Sequence, residues 1–134
     1  MSRLLLDTSA YSAFIQGNPE AVAAIQAAEA LFLTPVVIAE LLAGFGGGRR
    51  RAENESGLEK FLAGPRSSVV DVDRETATRY ALILNSLRAA GTPIQTNDIW
   101  IAASAMQHGL ELLTADAHFD KVAQILVRPL KPIQ

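Results

Sequence analysis

The chain has 134 residues, 12 Lys+Arg against 14 Asp+Glu, a formal net charge of -2, 49% hydrophobic and 19% charged residues, and no cysteine. One core's worth of chain with a mean hydropathy of +0.19 excludes disorder, which needs low hydrophobicity and high net charge, and predicts a single domain over 1–134. The missing thiols exclude a disulfide scaffold, a thiolate metal site and a cysteine nucleophile, and the near-neutral charge leaves any nucleic-acid binding to a local arrangement.

Leu4-Leu5-Leu6 reads as a short buried strand, because an apolar run without alternation suits a parallel strand covered on both faces. Helices are predicted over Ala10–Gln16 and Ala21–Glu29, separated by Gly17-Asn18-Pro19. Leu31–Leu33 is a second strand, and Pro35 starts a helix that ends near Gly44, before a flexible Gly46-Gly47-Gly48 connection. A polar helix over Arg51–Leu62 stops at Gly64-Pro65. Ser68–Val72 is a strand, and Asp73 caps a helix to Ala90 whose apolar stripe is Ala77, Tyr80, Ala81, Leu84 and Leu87. After the Gly91-Thr92-Pro93 turn come an apolar helix over Ile99–Gln107, a strand at Leu112–Thr114, a helical turn or two over Ala117–Ala123 and a last strand at Ile125–Val127. Strands alternating with helices imply an α/β domain, with a central parallel sheet of four or five short strands and helices on both faces. The opening leucines are too few for a signal peptide, and the greasiest stretch, 30–48, is broken by Thr34-Pro35 and Glu40. A cytoplasmic protein with no membrane segment is expected.

The informative residues are four acids in apolar surroundings. Asp7 ends the first strand, where open parallel sheets bind ligands beyond the strands' carboxyl ends; capping the following helix is the equal alternative. Glu40 is the only polar side chain between Pro35 and Phe45, sharing its helical face with Val36, Val37, Ala43 and Gly44. A carboxylate in an interior or cleft must be protonated, paired with a base or bound to a cation. Asp98 opens a buried helix that is apolar on every side, whose start should be tucked against the sheet. Taken alone it is explained by the helix dipole. Asp116 lies just past the Leu112–Thr114 strand and could equally cap the next helix.

Jointly the four are harder to explain as caps. Were the strands of Asp7 and Asp116 neighbours, both carboxylates would reach one crevice, with Glu40 and Asp98 completing a ring. Carboxylates a few ångströms apart cannot all ionise without a cation, and an oxygen-only donor set selects a hard ion, Mg²⁺ or Mn²⁺. Such an ion, retaining waters and open to a phosphate oxygen, equips a phosphodiester hydrolase.

At these residues the chain resembles the PIN-domain family, in particular its VapC-like toxins, from Leu4 to about Pro129. Leu4-Leu5-Leu6-Asp7-Thr8-Ser9 is similar to the family's opening strand and first acid, and Val37-Ile38-Ala39-Glu40-Leu41-Leu42-Ala43-Gly44 to its second. Asn97-Asp98-Ile99-Trp100-Ile101-Ala102-Ala103 is similar to the third, and Leu113-Thr114-Ala115-Asp116-Ala117-His118-Phe119 to the fourth. The resemblance implies a Mg²⁺- or Mn²⁺-dependent endoribonuclease, the toxin of a toxin–antitoxin pair, blocked at its groove by a small antitoxin protein. By it, Asp7, Glu40, Asp98 and Asp116 are the catalytic and metal-site acids, with Thr8, Ser9 and Thr114 as hydroxyl partners and RNA as substrate. A homodimer is expected.

Other features carry weaker expectations. Arg49-Arg50-Arg51 suits contact with RNA phosphates or an acidic antitoxin segment, against a solvated run balanced by Glu53, Glu55 and Glu59. His108 suits a helix C-terminus. His118 reads first as a surface residue and second as an approach to substrate, and Asp120 has no assigned role. Trp100, Phe14, Phe32 and Phe119 read as core, and Tyr11 as core or groove. The alternatives are a binding module with a structural cation site and a phosphatase of another α/β family. A haloacid-dehalogenase-type motif needs an acid where Ser9 stands, and a receiver domain needs a strand-end lysine where Lys121 falls in a helix.

Overall fold

The computed structural model describes residues 2–131. In chain order the elements are β1 (Arg3–Leu6), α1 (Thr8–Ile15), α2 (Pro19–Ala27), β2 (Ala30–Leu33), α3 (Pro35–Gly46), α4 (Arg51–Leu62), β3 (Ser67–Val69), α5 (Arg74–Ala90), α6 (Thr96–His108) and β4 (Glu111–Thr114), then a 3-10 helix (Ala117–Lys121) and β5 (Leu126–Pro129). All ladders are parallel, and the strand order is β3-β2-β1-β4-β5. Leu4, Leu5, Leu6, Leu112 and Leu113 are each fully buried. Successive strand side chains point to opposite faces, so burial of the whole run means that both faces of β1 and β4 are covered. Five short parallel strands, the central pair covered on both faces, are the α/β sheet that the apolar runs predict. Among the described residues no helix is long and apolar enough to cross a membrane.

This order puts a topological switch beside β1. From β1 the chain moves to β2 on one side, and β4 later returns on the other, so the connections leave a crevice at the carboxyl ends of the two central strands. The register Leu5↔Leu112 and Leu6↔Leu113 brings the two strand ends level.

Several boundaries differ from expectation for identifiable reasons. β3 stops at Val69 rather than Val72 because its single neighbour, β2, ends at Leu33; Val70 N donates to Leu33 O at 3.0 Å and the chain then leaves the sheet. α3 continues through Gly46, and none of Gly46, Gly47 and Gly48 needs a positive φ. The short helix after Asp116 is 3-10 and ends at Lys121.

The buried stripe of α5 is also rotated. Ala77 and Ala81 are exposed, whereas Thr76, Ile83 and Leu87 are buried. A polar residue takes an inward position because its hydrogen bonds are met there. Thr76 N donates to Asp73 Oδ1 at 3.1 Å, Asp73 N donates to Thr76 Oγ1 at 3.0 Å, and the hydroxyl reaches Gln107 Oε1 on α6. Gln107 Nε2 closes the loop on Asp73 Oδ1 at 3.0 Å. One capping box therefore doubles as the polar clamp between α5 and α6. Replacing Thr76 by Val keeps the volume but removes the box and strands Gln107 Oε1. Loss of about 2 kcal/mol of unfolding free energy is expected in urea titration, with an unchanged m-value.

Candidate metal centre

Asp7 sits where β1 ends and α1 begins. Its backbone is extended (φ -83°, ψ 178°) and its carboxylate accepts from Ala10 N at 2.8 Å, so it is an N-cap. The cap is a minor part of its environment. Ser9 Oγ donates to Oδ1 at 2.7 Å and Thr114 Oγ1, at the end of β4, donates to Oδ2 at 2.6 Å. Ser9 Oγ in turn accepts from Ala115 N, and Thr114 Oγ1 accepts from Asp116 N, both at 2.9 Å. These bonds tie the ends of the two central strands together through a side chain that is 4% exposed.

Glu40 stands on α3, half-buried at its rim: Val36 and Val37 on its face are covered, but Ala43 and Gly44 are exposed. No base neutralises it among the described residues. Thr8 Oγ1 donates to its Oε1 at 2.7 Å, and Asn97 Nδ2 to its Oε2 at 3.5 Å. Thr8 belongs to α1 and Asn97 to α6, so Glu40 lies where α1, α3 and α6 meet. Asn97 was not assigned a role from the sequence; its only signal there is its place beside Asp98.

Asp98, third residue of α6, is half-buried while Thr96 and Asn97 are exposed. The helix is covered only from Ile99 onward, less deeply at its start than its composition suggests. Asp116 accepts from His118 N at 2.9 Å, with His118 Nδ1 3.0 Å from the same oxygen. Asp120 is exposed on the 3-10 helix.

Electrostatics draw the four acids into one site. The Asp98 carboxyl is pushed up to about 6, first by burial and then by the negative charges of Asp116, Glu40 and Asp7, with His118 opposing. Burial also raises the Asp7 carboxyl, against its hydrogen bonds from Thr114, Ser9 and Ala10; the charge of Asp116 adds to the rise. None of the four is paired with arginine or lysine among the described residues. Carboxylates from four chain segments therefore bear on one another, with His118 beside Asp116 as the one basic side chain set against them among the described residues.

That donor set fits a hard divalent cation: it is oxygen-rich, without thiolates, and carries excess negative charge. As the side chains stand, no three Asp, Glu or His residues among those described are gathered tightly enough to clasp one ion.

The remaining candidates fall elsewhere. Arg50 pairs with Glu53 and Arg51 with Glu55 along α4, which supports the solvated-run alternative for these two; Arg49 is exposed. Tyr11 packs edge-on against Phe61, with ring centroids 5.3 Å apart, and lines a cavity between α1, α3 and α4 instead of the acid crevice. Phe119 is fully buried, and Trp100, Phe14 and Phe32 are half-buried.

The raised Asp98 carboxyl sets a stability profile for the ion-free protein. With a folded value of about 6 against an ordinary 3.8, the folded chain holds this proton more tightly than the unfolded chain. The contribution is full below pH 4 and is lost as pH rises through 6. In chelator-treated buffer Asp98→Asn should match the parent at pH 4 and exceed it by about 1 kcal/mol at pH 7.5, after discounting for solvent screening. Urea unfolding at the two pH values measures the difference.

Comparison with known proteins agrees with this geometry. Residues 4–125 match the family model described as PIN domain. Plasmid stability protein StbB of Pseudomonas syringae pv. tomato is 34% identical over 121 residues, covering 84% of this chain and 87% of that protein. VapC ribonuclease Y4jK of Sinorhizobium fredii is 30% identical over 138 residues, covering 96% of this chain and 99% of that protein. Among solved structures, VapBC2 from Rickettsia felis, bound to a DNA fragment from its promoter, superposes with a TM-score of 0.84 at 22% identity, over 94% of this chain and 97% of that chain, a likeness of fold. With the switch-point crevice and its four acids, these matches establish that the chain belongs to the PIN-domain family, in its VapC-like branch.

Proposed function

We propose that the chain is a divalent-metal-dependent endoribonuclease, the toxin of a toxin–antitoxin pair acting in the cytoplasm. The observation that carries the reading is the hydrogen-bonded gathering of acid-bearing segments at the end of the central strands: Thr114 joins Asp7 to the Asp116 amide, and Glu40 accepts from Thr8 beside Asp7 and from Asn97 beside Asp98. The VapC ribonuclease relative supports RNA as substrate, and a structure of the VapBC family of toxin–antitoxin systems from Mycobacterium tuberculosis, 26% identical, supports a small antitoxin protein as partner; a homodimer is part of the same proposal.

Mg²⁺ or Mn²⁺ would be held by the four acids. When bound, such an ion supplies positive charge against phosphate oxygens and acidifies water. The chain's own residues prepare its place. Thr114 and Ser9 hold the Asp7 carboxylate in one orientation, and Thr8 and Asn97 do so for Glu40. No side chain need attack phosphorus: the Asp7 carboxylate, which a phosphatase-type covalent route would use, is buried and engaged by Thr114, Ser9 and Ala10, which disfavours that route.

Total RNA incubated with the purified protein should acquire new ends only in Mg²⁺ or Mn²⁺, and EDTA should stop the reaction. Asp98→Asn and Glu40→Gln should each slow cutting by about a hundredfold or more. Thr8→Val, which frees Glu40 from its hydroxyl donor, should raise the Mg²⁺ needed for half-maximal cutting about tenfold. Unimpaired cutting by Asp98→Asn would remove that residue from the metal site.

A further inference from the structure

Beside the acid crevice lies a second concavity that the four carboxylates do not use. It is an open cleft of about 230 Å³ lined by Pro93, Ile94, Gln95 and His118. Its two walls come from the segments that carry two of the acids: Gln95 lies three residues before Asp98, and His118 two after Asp116. Pro93 and Ile94 give an apolar floor. Gln95 is the N-cap of α6, yet its side chain makes no capping hydrogen bond, so its amide keeps both a donor and an acceptor free among the described residues. His118 is 63% exposed, and its ring is held by Nδ1 against Asp116 Oδ1 at 3.0 Å, leaving Nε2 as the unengaged nitrogen.

An apolar floor, an unengaged carboxamide and a tethered aromatic ring are the equipment for one unstacked base. Single-stranded RNA is recognised by stacking bases on aromatic side chains and hydrogen-bonding their edges. The cleft has room for one base and not for a base pair. Its lining brings no lysine or arginine, so it suits the base better than the phosphate. We infer that the cleft of Pro93, Ile94, Gln95 and His118 is a nucleobase subsite that seats the nucleotide flanking the scissile bond and sets which base is accepted there. The inference rests on the ribonuclease reading, since the scissile bond it flanks is the one at the four acids. His118 and Gln95 are specificity residues in this scheme. Neither is asked to transfer a proton.

The test uses binding, so that it survives loss of activity. The Asp98→Asn protein, which leaves RNA uncut, is titrated by fluorescence anisotropy with short single-stranded RNAs in Mg²⁺, each carrying one abasic position. One position should weaken binding about tenfold when its base is removed. Adding His118→Ala or Gln95→Ala should reduce that penalty to less than about twofold. Both lie on the surface, and Glu20→Ala on α2 is the control in which the penalty persists. If no abasic position matters, or the full penalty remains in both variants, the subsite does not exist. Cutting of total RNA by the unsubstituted protein reports separately. Base-dependent binding without cutting would retain the subsite and end the ribonuclease reading, whereas cutting with no abasic penalty would do the reverse.

Discussion

Everything at the functional end depends on one buried carboxylate. Asp7 is held by a hydroxyl and an amide from its own turn and by a hydroxyl from the end of β4. Those bonds lower the cost of burying it without neutralising it, since burial still outweighs them in setting its acidity. The fold therefore fixes a carboxyl group at the switch point, and the other three acids are arranged about a group that cannot move away.

The site divides into a fixed and an adjustable part. Asp7, Ser9 and Thr114 form a closed hydrogen-bonded unit between two central strands, the most rigid place the sheet offers. Glu40 and Asp98 lie on α3 and α6 and Asp116 on the turn after β4, all half-exposed; Glu40 and Asp116 are held by hydrogen bonds, so the side chain freest to turn toward an ion or a phosphate is Asp98. The lowered acidity of Asp98, caused first by burial and then by its three neighbours, expresses the same arrangement electrostatically. The capping explanation of Asp7 and Asp116 holds, since each caps the helix that follows with one oxygen; in the proposed metal site each does both.

Much of the fold was legible in the sequence because parallel strands buried on both faces must be short apolar runs, and the three inner strands, β2, β1 and β4, are built on such runs. β3 was less so: Ser67–Val69 is an edge strand whose length is set by where β2 ends, information that does not lie in its own residues. The α5 stripe was misread because periodicity weighs apolar residues, whereas Thr76 goes inward on the strength of partners at Asp73 and on another helix. Among the site residues, the strand-end acids were visible by position and Glu40 by isolation. Asn97 was obscured by its more conspicuous neighbour, and the cleft of Gln95 and His118 joins segments that are far apart in the chain.

The pairing of Arg50 with Glu53 and Arg51 with Glu55 bears on how a polyanion would arrive. With two of its three clustered arginines locally offset and a chain charge of -2, the molecule offers little long-range attraction to nucleic acid, and the acid crevice repels it. Few counterions would be displaced from the incoming strand. Its capture by such a surface should depend only shallowly on ionic strength, unlike that of proteins that collect nucleic acid with a basic face.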